Sequence, residues 1–198
     1  MSQLAPGRNL VLVGLMGTGK STVGRIVAQR LQRKFVDTDR LIESEQGKPV
    51  AQIFSEDGER AFRELEAEAV RRVSATRGQV ISVGGGAVMD PANVRHLKAT
   101  GDVMLLRTEL EQLAQRVGGA NLPKRPLLAG DDQDVRARLA SLWDERRDAY
   151  MAAADTTVDT TARPIGDVVE EVMSWLAARP GALAPTELSE EKSREELA

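Results

Sequence analysis

The chain has 198 residues, a net charge of −3 and no cysteine. That length accommodates one α/β domain. The near-balanced charge, with no long basic run, argues against a nucleic-acid surface or an anionic membrane as partner, and the missing thiols exclude a disulfide framework and a thiolate metal site. Aromatic residues are only 3% of the chain, so the core has to be built from Val, Leu, Ile and Ala. The first apolar run, residues 10–15, is far too short to span a bilayer or act as a signal, and a cytoplasmic, monomeric protein is expected.

Leu10-Val11-Leu12-Val13 reads as a buried parallel strand. A glycine-rich turn follows, and then Val23, Ile26, Val27 and Leu31 recur at helical spacing. Residues 35–37 predict a second strand, and short helices are expected over 40–46 and 50–54, broken at Gly47-Lys48-Pro49. A long charged helix is predicted over 59–75, and a third strand over 79–83 runs into Gly84-Gly85-Gly86. Pro91 suits the first turn of a further helix. A fourth strand is expected over 102–106, with Thr108 and Glu111 in a capping-box pattern after it. The segment 118–133 is rich in Gly, Pro, Asp and basic residues and reads as a mobile lid. A helix over 134–150, a fifth strand over 156–159 and a last helix striped by Ile165, Val168, Val169, Val172, Met173 and Leu176 complete the domain. The domain is therefore placed at 1–178, and the charged tail 179–198 is expected to be disordered. Alternating strands and helices predict a doubly wound, five-stranded parallel sheet flanked by helices.

Gly14-Leu15-Met16-Gly17-Thr18-Gly19-Lys20-Ser21 matches the phosphate-binding loop at every fixed position. Glycines at 14, 17 and 19 let the backbone curl so that successive N–H groups aim at phosphate oxygens. The helix starting near Lys20 adds partial positive charge, Lys20 reaches the β- and γ-phosphates, and the Ser21 hydroxyl is a hard oxygen ligand for Mg²⁺. Gly17, Thr18, Gly19, Lys20, Ser21 and Thr22 are thus the ATP-binding candidates, within a P-loop NTPase-like fold. Strand, loop and helix in this order make a chance glycine turn a poor explanation, but the motif does not identify what receives the phosphate.

Asp37-Thr38-Asp39, Phe62-Arg63 followed by Glu66, Gly84-Gly85-Gly86-Ala87-Val88, Arg125-Pro126-Leu127-Leu128, and Arg146 four residues before Tyr150 accompany the loop in a fixed order. Together these motifs, spread over residues 9–176, resemble the shikimate kinase family. The resemblance implies transfer of the γ-phosphate of ATP-Mg²⁺ to the 3-hydroxyl of shikimate, with Lys20, Asp39 and Arg125 catalytic. It implies that Asp37 holds Mg²⁺ through a water, that Asp39 bonds the acceptor hydroxyl, and that Arg63 and Arg146 grip the acceptor's carboxylate. Gly85 would touch the acceptor, Arg125 would be the lid arginine on the phosphates, and Arg163 would lie against adenine.

On local grounds each assignment has a plainer competitor. Asp39 could cap the helix that follows it, and Arg63 could pair with the glutamates of its own helix. The glycine triplet could be a bend, and Arg125 an exposed loop residue. Arg146 and Arg147 are not separable locally, and Asp148 stands where the family commonly has proline. His96, the single histidine, reads as a surface helical residue, and Trp143 and Trp175 as packing residues. A gluconate or nucleoside monophosphate kinase would share the phosphate cradle without needing the paired aspartates, three glycines and two arginines together. A non-catalytic sensor of the same fold would tend to lose Lys20, Ser21 or Asp39, all present here.

Overall fold

The computed structural model describes residues 7–118, 132–179 and 181. Five parallel strands form one sheet in the order β2-β3-β1-β4-β5. They are β1 (Asn9–Val13), β2 (Lys34–Asp37), β3 (Gln79–Ser82), β4 (Gly101–Arg107) and β5 (Thr156–Asp159). The helices are α1 (Lys20–Arg30), α2 (Thr38–Gln46), α3 (Val50–Glu56), α4 (Gly58–Ser74), α5 (Pro91–Thr100), α6 (Leu110–Val117), α7 (Asp132–Ala153) and α8 (Ile165–Ala177), and a 3₁₀ turn spans Ala87–Met89.

All five residues of β1 are buried. A strand with helices on both faces has no solvated side, which is why it reads as an unbroken apolar run. Successive side chains still separate by face. Val11, Val13, Ile81, Val103 and Leu105 pack against Val70 and Val73 of α4, Leu97 of α5 and Leu139 of α7. Leu10, Leu12, Val80, Met104 and Leu106 pack against Val23 and Val27 of α1 and Val168 and Val172 of α8. A third, smaller cluster joins Ile42, Ile53, Phe62 and Ala69 of α2, α3 and α4. Each fully buried Leu, Ile or Val contributes about 1.5–3 kcal/mol relative to exposure.

Strand β1 begins one residue earlier than the apolar run because Asn9 bridges the foot of the sheet. Its Nδ2 donates to Thr76 O at 2.6 Å, and its Oδ1 accepts from Gln79 N at 2.9 Å. Asp90 caps α5, accepting from Ala92 N at 2.7 Å, with Pro91 in the first turn as expected. The capping box at Thr108 does not form. Thr108 Oγ1 is bonded to Thr160 Oγ1 at 2.6 Å, tying β4 to β5, and α6 starts after Glu109 without a side-chain cap. His96 is exposed, and Trp143 and Trp175 pack against the two main clusters.

The predicted lid, except for its ends, and the chain beyond 181 lie outside the described residues. The start of the predicted tail is held on the domain. Arg179 Nε pairs with Asp102 at 3.0 Å, and Arg8 N donates to Gly181 O at 3.0 Å. Strand order reverses around β1, with β3 on one side and β4 on the other. The carboxyl ends of β1, β2 and β3 therefore open one crevice, where open α/β sheets bind ligands.

Candidate active site

The loop after β1 forms the floor of this crevice. Gly14, Gly17 and Gly19 have φ of 136°, 83° and 97°, left-handed values that a Cβ would strain. Lys20 Nζ donates to Gly14 O at 2.8 Å and Leu15 O at 2.9 Å, so the ammonium lies over the loop. Thr18 Oγ1 closes the loop on Leu15 O at 2.9 Å and is buried. Gly17, Gly19, Ser21 and Thr22 line the cavity with Lys20. Arg116, on α6, also lines it and donates to Gly17 O at 3.3 Å. In the sequence it was only one arginine on an amphipathic helix.

The Ser21 hydroxyl donates to Asp37 Oδ2 at 2.6 Å. Asp37 also caps α2, its Oδ1 accepting from Arg40 N at 3.4 Å. The helix cap is thus Asp37, and the alternative that Asp39 serves as cap falls away. Among the described residues no group of three His, Cys, Asp or Glu forms a metal cage. A hydroxyl and a carboxylate in hydrogen-bond contact beside the P-loop nevertheless fit Mg²⁺, which takes few protein oxygens and fills its octahedron with water and phosphate.

Asp39, in the first turn of α2, lies in the cavity wall with Glu66 of α4. Asp39 Oδ1 and Glu66 Oε1 are both buried without a hydrogen-bond partner among the described residues. Burial first, and then the nearby Asp37 and Glu66 carboxylates, push the Asp39 carboxyl from 3.8 up to about 7, against the pull of Lys20. Burial also raises Glu66, opposed by Arg63.

The third wall is Gly84-Gly85-Gly86. Its reason is space, because a Cβ on Gly84 would stand 2.5 Å from Glu66 Oε1 and 2.7 Å from Asp39 Oδ1. A Cβ on Gly86 would stand 2.8 Å from the Arg63 guanidinium carbon. Thr38 Oγ1 accepts from Gly84 N at 3.1 Å, fixing the turn to the end of β2.

Arg63 donates to Glu66 Oε2 at 2.7 Å and to Glu59 Oε1 at 3.0 Å. Its guanidinium lies 5.4 Å from the Phe62 ring centroid and 6.0 Å from that of Phe54. It therefore keeps the helix pairs of the plain reading and still lines the cavity. Arg146 and Arg147 are now separated. Arg146 is 4% exposed and lines the cavity, with NH1 3.7 Å from the Cβ position of Gly85. Arg147 points outward to Asp148 at 3.3 Å, with its side chain 55% exposed. Arg163 does not line the cavity. It donates to Asp159 O at 3.0 Å and pairs with Glu171. Arg125 lies outside the described residues.

A cavity of about 620 Å³ joins these walls. A P-loop, a buried carboxylate, a glycine turn and two guanidinium groups lining one cavity define a small-molecule P-loop kinase. The shikimate kinase family model matches residues 16–177, and the chain belongs to that family. It is 48% identical over 171 residues to the shikimate kinase of Symbiobacterium thermophilum, covering 86% of this chain and 97% of that one. It is 43% identical over 176 residues to that of Mycobacterium avium, covering 89% and 97%. Among solved structures, the shikimate kinase of Acinetobacter baumannii in complex with shikimate superposes with a TM-score of 0.80 at 32% identity, covering 85% of this chain and 92% of that one. The Aquifex aeolicus enzyme superposes with a TM-score of 0.72 at 32% identity, covering 85% and 95%.

Proposed function

We propose that the residues around this cavity share out the transfer of the γ-phosphoryl group of ATP to the 3-hydroxyl of shikimate, the ATP-dependent activity that goes with the family. The P-loop amides and Lys20 hold the β- and γ-phosphates and neutralise the charge that spreads over the transferring group. Ser21 and Asp37 would hold Mg²⁺, Ser21 directly and Asp37 through water, and the ion would supply charge neutralisation and alignment of the phosphate oxygens. Asp39 accepts a hydrogen bond from the acceptor hydroxyl and takes its proton as the oxygen bonds to phosphorus and the bridge to the β-phosphate breaks. A carboxyl held up near 7 is suited to that exchange, because it takes and releases a proton near neutral pH.

Arg63 and Arg146 bind the acceptor's carboxylate, whose planar oxygens match a guanidinium fork. Gly85 gives it close access to backbone. Arg125 closes over the phosphates, and Arg163 contacts the nucleotide base. The protein acts as a cytoplasmic monomer, with no nucleic-acid or membrane partner. No helix among the described residues is long and apolar enough to cross a membrane.

The observation that carries this reading is that Asp39 lines one cavity with Lys20, Arg63 and Arg146, close enough to feel both the Lys20 ammonium and the Glu66 carboxylate. A coupled ADP-release assay with shikimate, gluconate, AMP and CMP tests it. Turnover is expected with shikimate alone, and preferred turnover of gluconate or a nucleotide would overturn the choice of acceptor.

A further inference from the structure

The notable buried polar group outside these roles is the phenol of Tyr150. This residue is fully buried on α7, its ring stacked on Trp143 at a centroid distance of 6.1 Å. Packing alone would be served by phenylalanine. A buried hydroxyl is costly unless bonded, so its partners tell what it is for. Tyr150 OH donates to Gly85 O at 2.5 Å, and the Arg146 guanidinium, one turn earlier on the same helix, lies beside it: the phenol oxygen and the Arg146 NH1 stand 3.6 and 3.7 Å from the Cβ position of Gly85. The phenol, the Gly85 carbonyl and the Arg146 guanidinium thus gather around one point of the glycine turn. Burial pushes the phenol up to about 12, so it stays a neutral donor over the whole working range.

The bond has a directional consequence. Gly85 C=O belongs to the peptide plane whose other end is the Gly86 N–H, and in a trans peptide the two point in opposite directions. Gly85 has no side chain to hold that plane, and glycine is the residue most free to rotate it. Fixing the carbonyl on Tyr150 fixes the Gly86 N–H as well. The same oxygen limits the angles open to Arg146, whose Nε has no hydrogen-bond partner among the described residues and meets Glu145 only at 3.7 Å. A long arginine side chain with few anchors loses much freedom on binding a ligand, and prior anchoring removes part of that cost.

We propose that Tyr150 is a positioning residue for acceptor binding: its hydroxyl orients the Gly85–Gly86 peptide and the Arg146 guanidinium together, so that both meet the acceptor's carboxylate side already aligned. This rests on the reading that Arg146 and Gly85 contact the acceptor. Tyr150 itself touches neither phosphate nor nucleotide in this scheme, so its removal acts on one substrate only.

The test is Tyr150→Phe, which keeps the ring on Trp143 and removes only the oxygen. KM for shikimate is expected to rise about 2- to 12-fold, the worth of one net hydrogen bond, with KM for ATP unchanged and kcat reduced less than about threefold. In an Arg146→Ala background the same change is expected to add less than about twofold, since contacts that act through one another are not additive. A lowered melting temperature with both KM values unchanged would overturn the proposal and leave Tyr150 a packing residue. If Arg146→Ala itself leaves shikimate KM unchanged, the acceptor-site reading fails. If Arg146→Ala raises that KM and Tyr150→Phe does not, the reading stands and the positioning role falls. Should Tyr150→Phe not fold, Trp143→Leu loosens the ring while sparing the phenol. A rise of about two- to threefold in shikimate KM alone is then expected, and no rise overturns the proposal.

Discussion

Asp39 and Glu66 converge on Gly84, where a Cβ would stand 2.7 Å from Asp39 Oδ1 and 2.5 Å from Glu66 Oε1. Burial disfavours the charged form of both, and Asp39, with the Asp37 and Glu66 carboxylates nearby, is pushed up to about 7. A folded-state value raised from 3.8 contributes stability below pH 4 that is lost as pH rises through about 7. Asp39→Asn, neutral at every pH, removes that loss. The variant, free of nucleotide and Mg²⁺, is expected to melt a few degrees above the parent at pH 8, at ~2–4 °C per kcal/mol, and close to it at pH 4.5. Thermal melts in a chelator check this, and a difference that does not change with pH would remove the electrostatic account.

The same variant is expected to be a poor enzyme. If Asp39 takes the acceptor's proton as the bond forms, Asp39→Asn should lower kcat by about 10²–10⁴ and leave ATP affinity intact. Single-turnover kinetics with saturating shikimate separates chemistry from product release. A kcat within twofold of the parent would take Asp39 out of the proton transfer.

Gly86 is glycine because the Arg63 guanidinium lies on its Cα face, its carbon 2.8 Å from where a Cβ would stand. Gly86→Ala must push Arg63 out of its bond to Glu66 at 2.7 Å. KM for shikimate is then expected to rise about tenfold or more, with KM for ATP unchanged, because the P-loop is untouched. Equal losses for both substrates would mean that the turn collapses as a whole.

Much of this was legible in the sequence where one local pattern implies one structure. The run 10–13 followed by the glycine loop and a helical stripe could hardly fold otherwise, and the structure gives β1, the P-loop and α1. Two features were legible but unread. Arg146 stands with Leu139, Trp143 and Tyr150 at helical spacing on the apolar stripe of α7, so helix phase alone turns it inward and Arg147 outward. Glu66 stands likewise between Phe62 and Ala69 on α4, and is 1% exposed. Other features were not available locally. The Thr108–Glu111 box lost to a bond with Thr160, 52 residues away, and Arg116 reaches Gly17 only because α6 packs beside the P-loop.

The two arginines of the acceptor wall differ in support, and this ranks their substitutions against a built-in control. Arg63 is tied to Glu66 and Glu59, while Arg146 is 4% exposed and lies beside Tyr150 at the glycine turn. Either change to Ala is expected to raise shikimate KM by about 10- to 100-fold, as for loss of a charge-assisted pair. Arg63→Ala should also destabilise the fold, since it strands the buried Glu66 carboxylate. Arg147→Ala, on the exposed face, should move stability by less than about 0.5 kcal/mol and neither KM. A shikimate KM that responds to Arg147 and not to Arg146 would reverse the assignment.

At the nucleotide end, the Ser21 hydroxyl and Asp37 carboxylate sit 2.6 Å apart beside Lys20. If these oxygens hold the ion, directly and through water, chelation with EDTA should abolish turnover and added Mg²⁺ should restore it. Ser21→Ala should raise the Mg²⁺ concentration for half-maximal rate by about tenfold or more, since it removes the one direct ligand assigned to the protein in this scheme. Asp37→Asn should do the same less severely, acting through a water, while lowering stability slightly by weakening the cap on Arg40 N. Lys20→Ala, by contrast, should abolish turnover at every Mg²⁺ concentration if the ammonium contacts the phosphates themselves, as proposed. Titrating Mg²⁺ at fixed ATP for the three variants distinguishes these outcomes, and an unchanged Mg²⁺ requirement in Ser21→Ala would move the ion elsewhere.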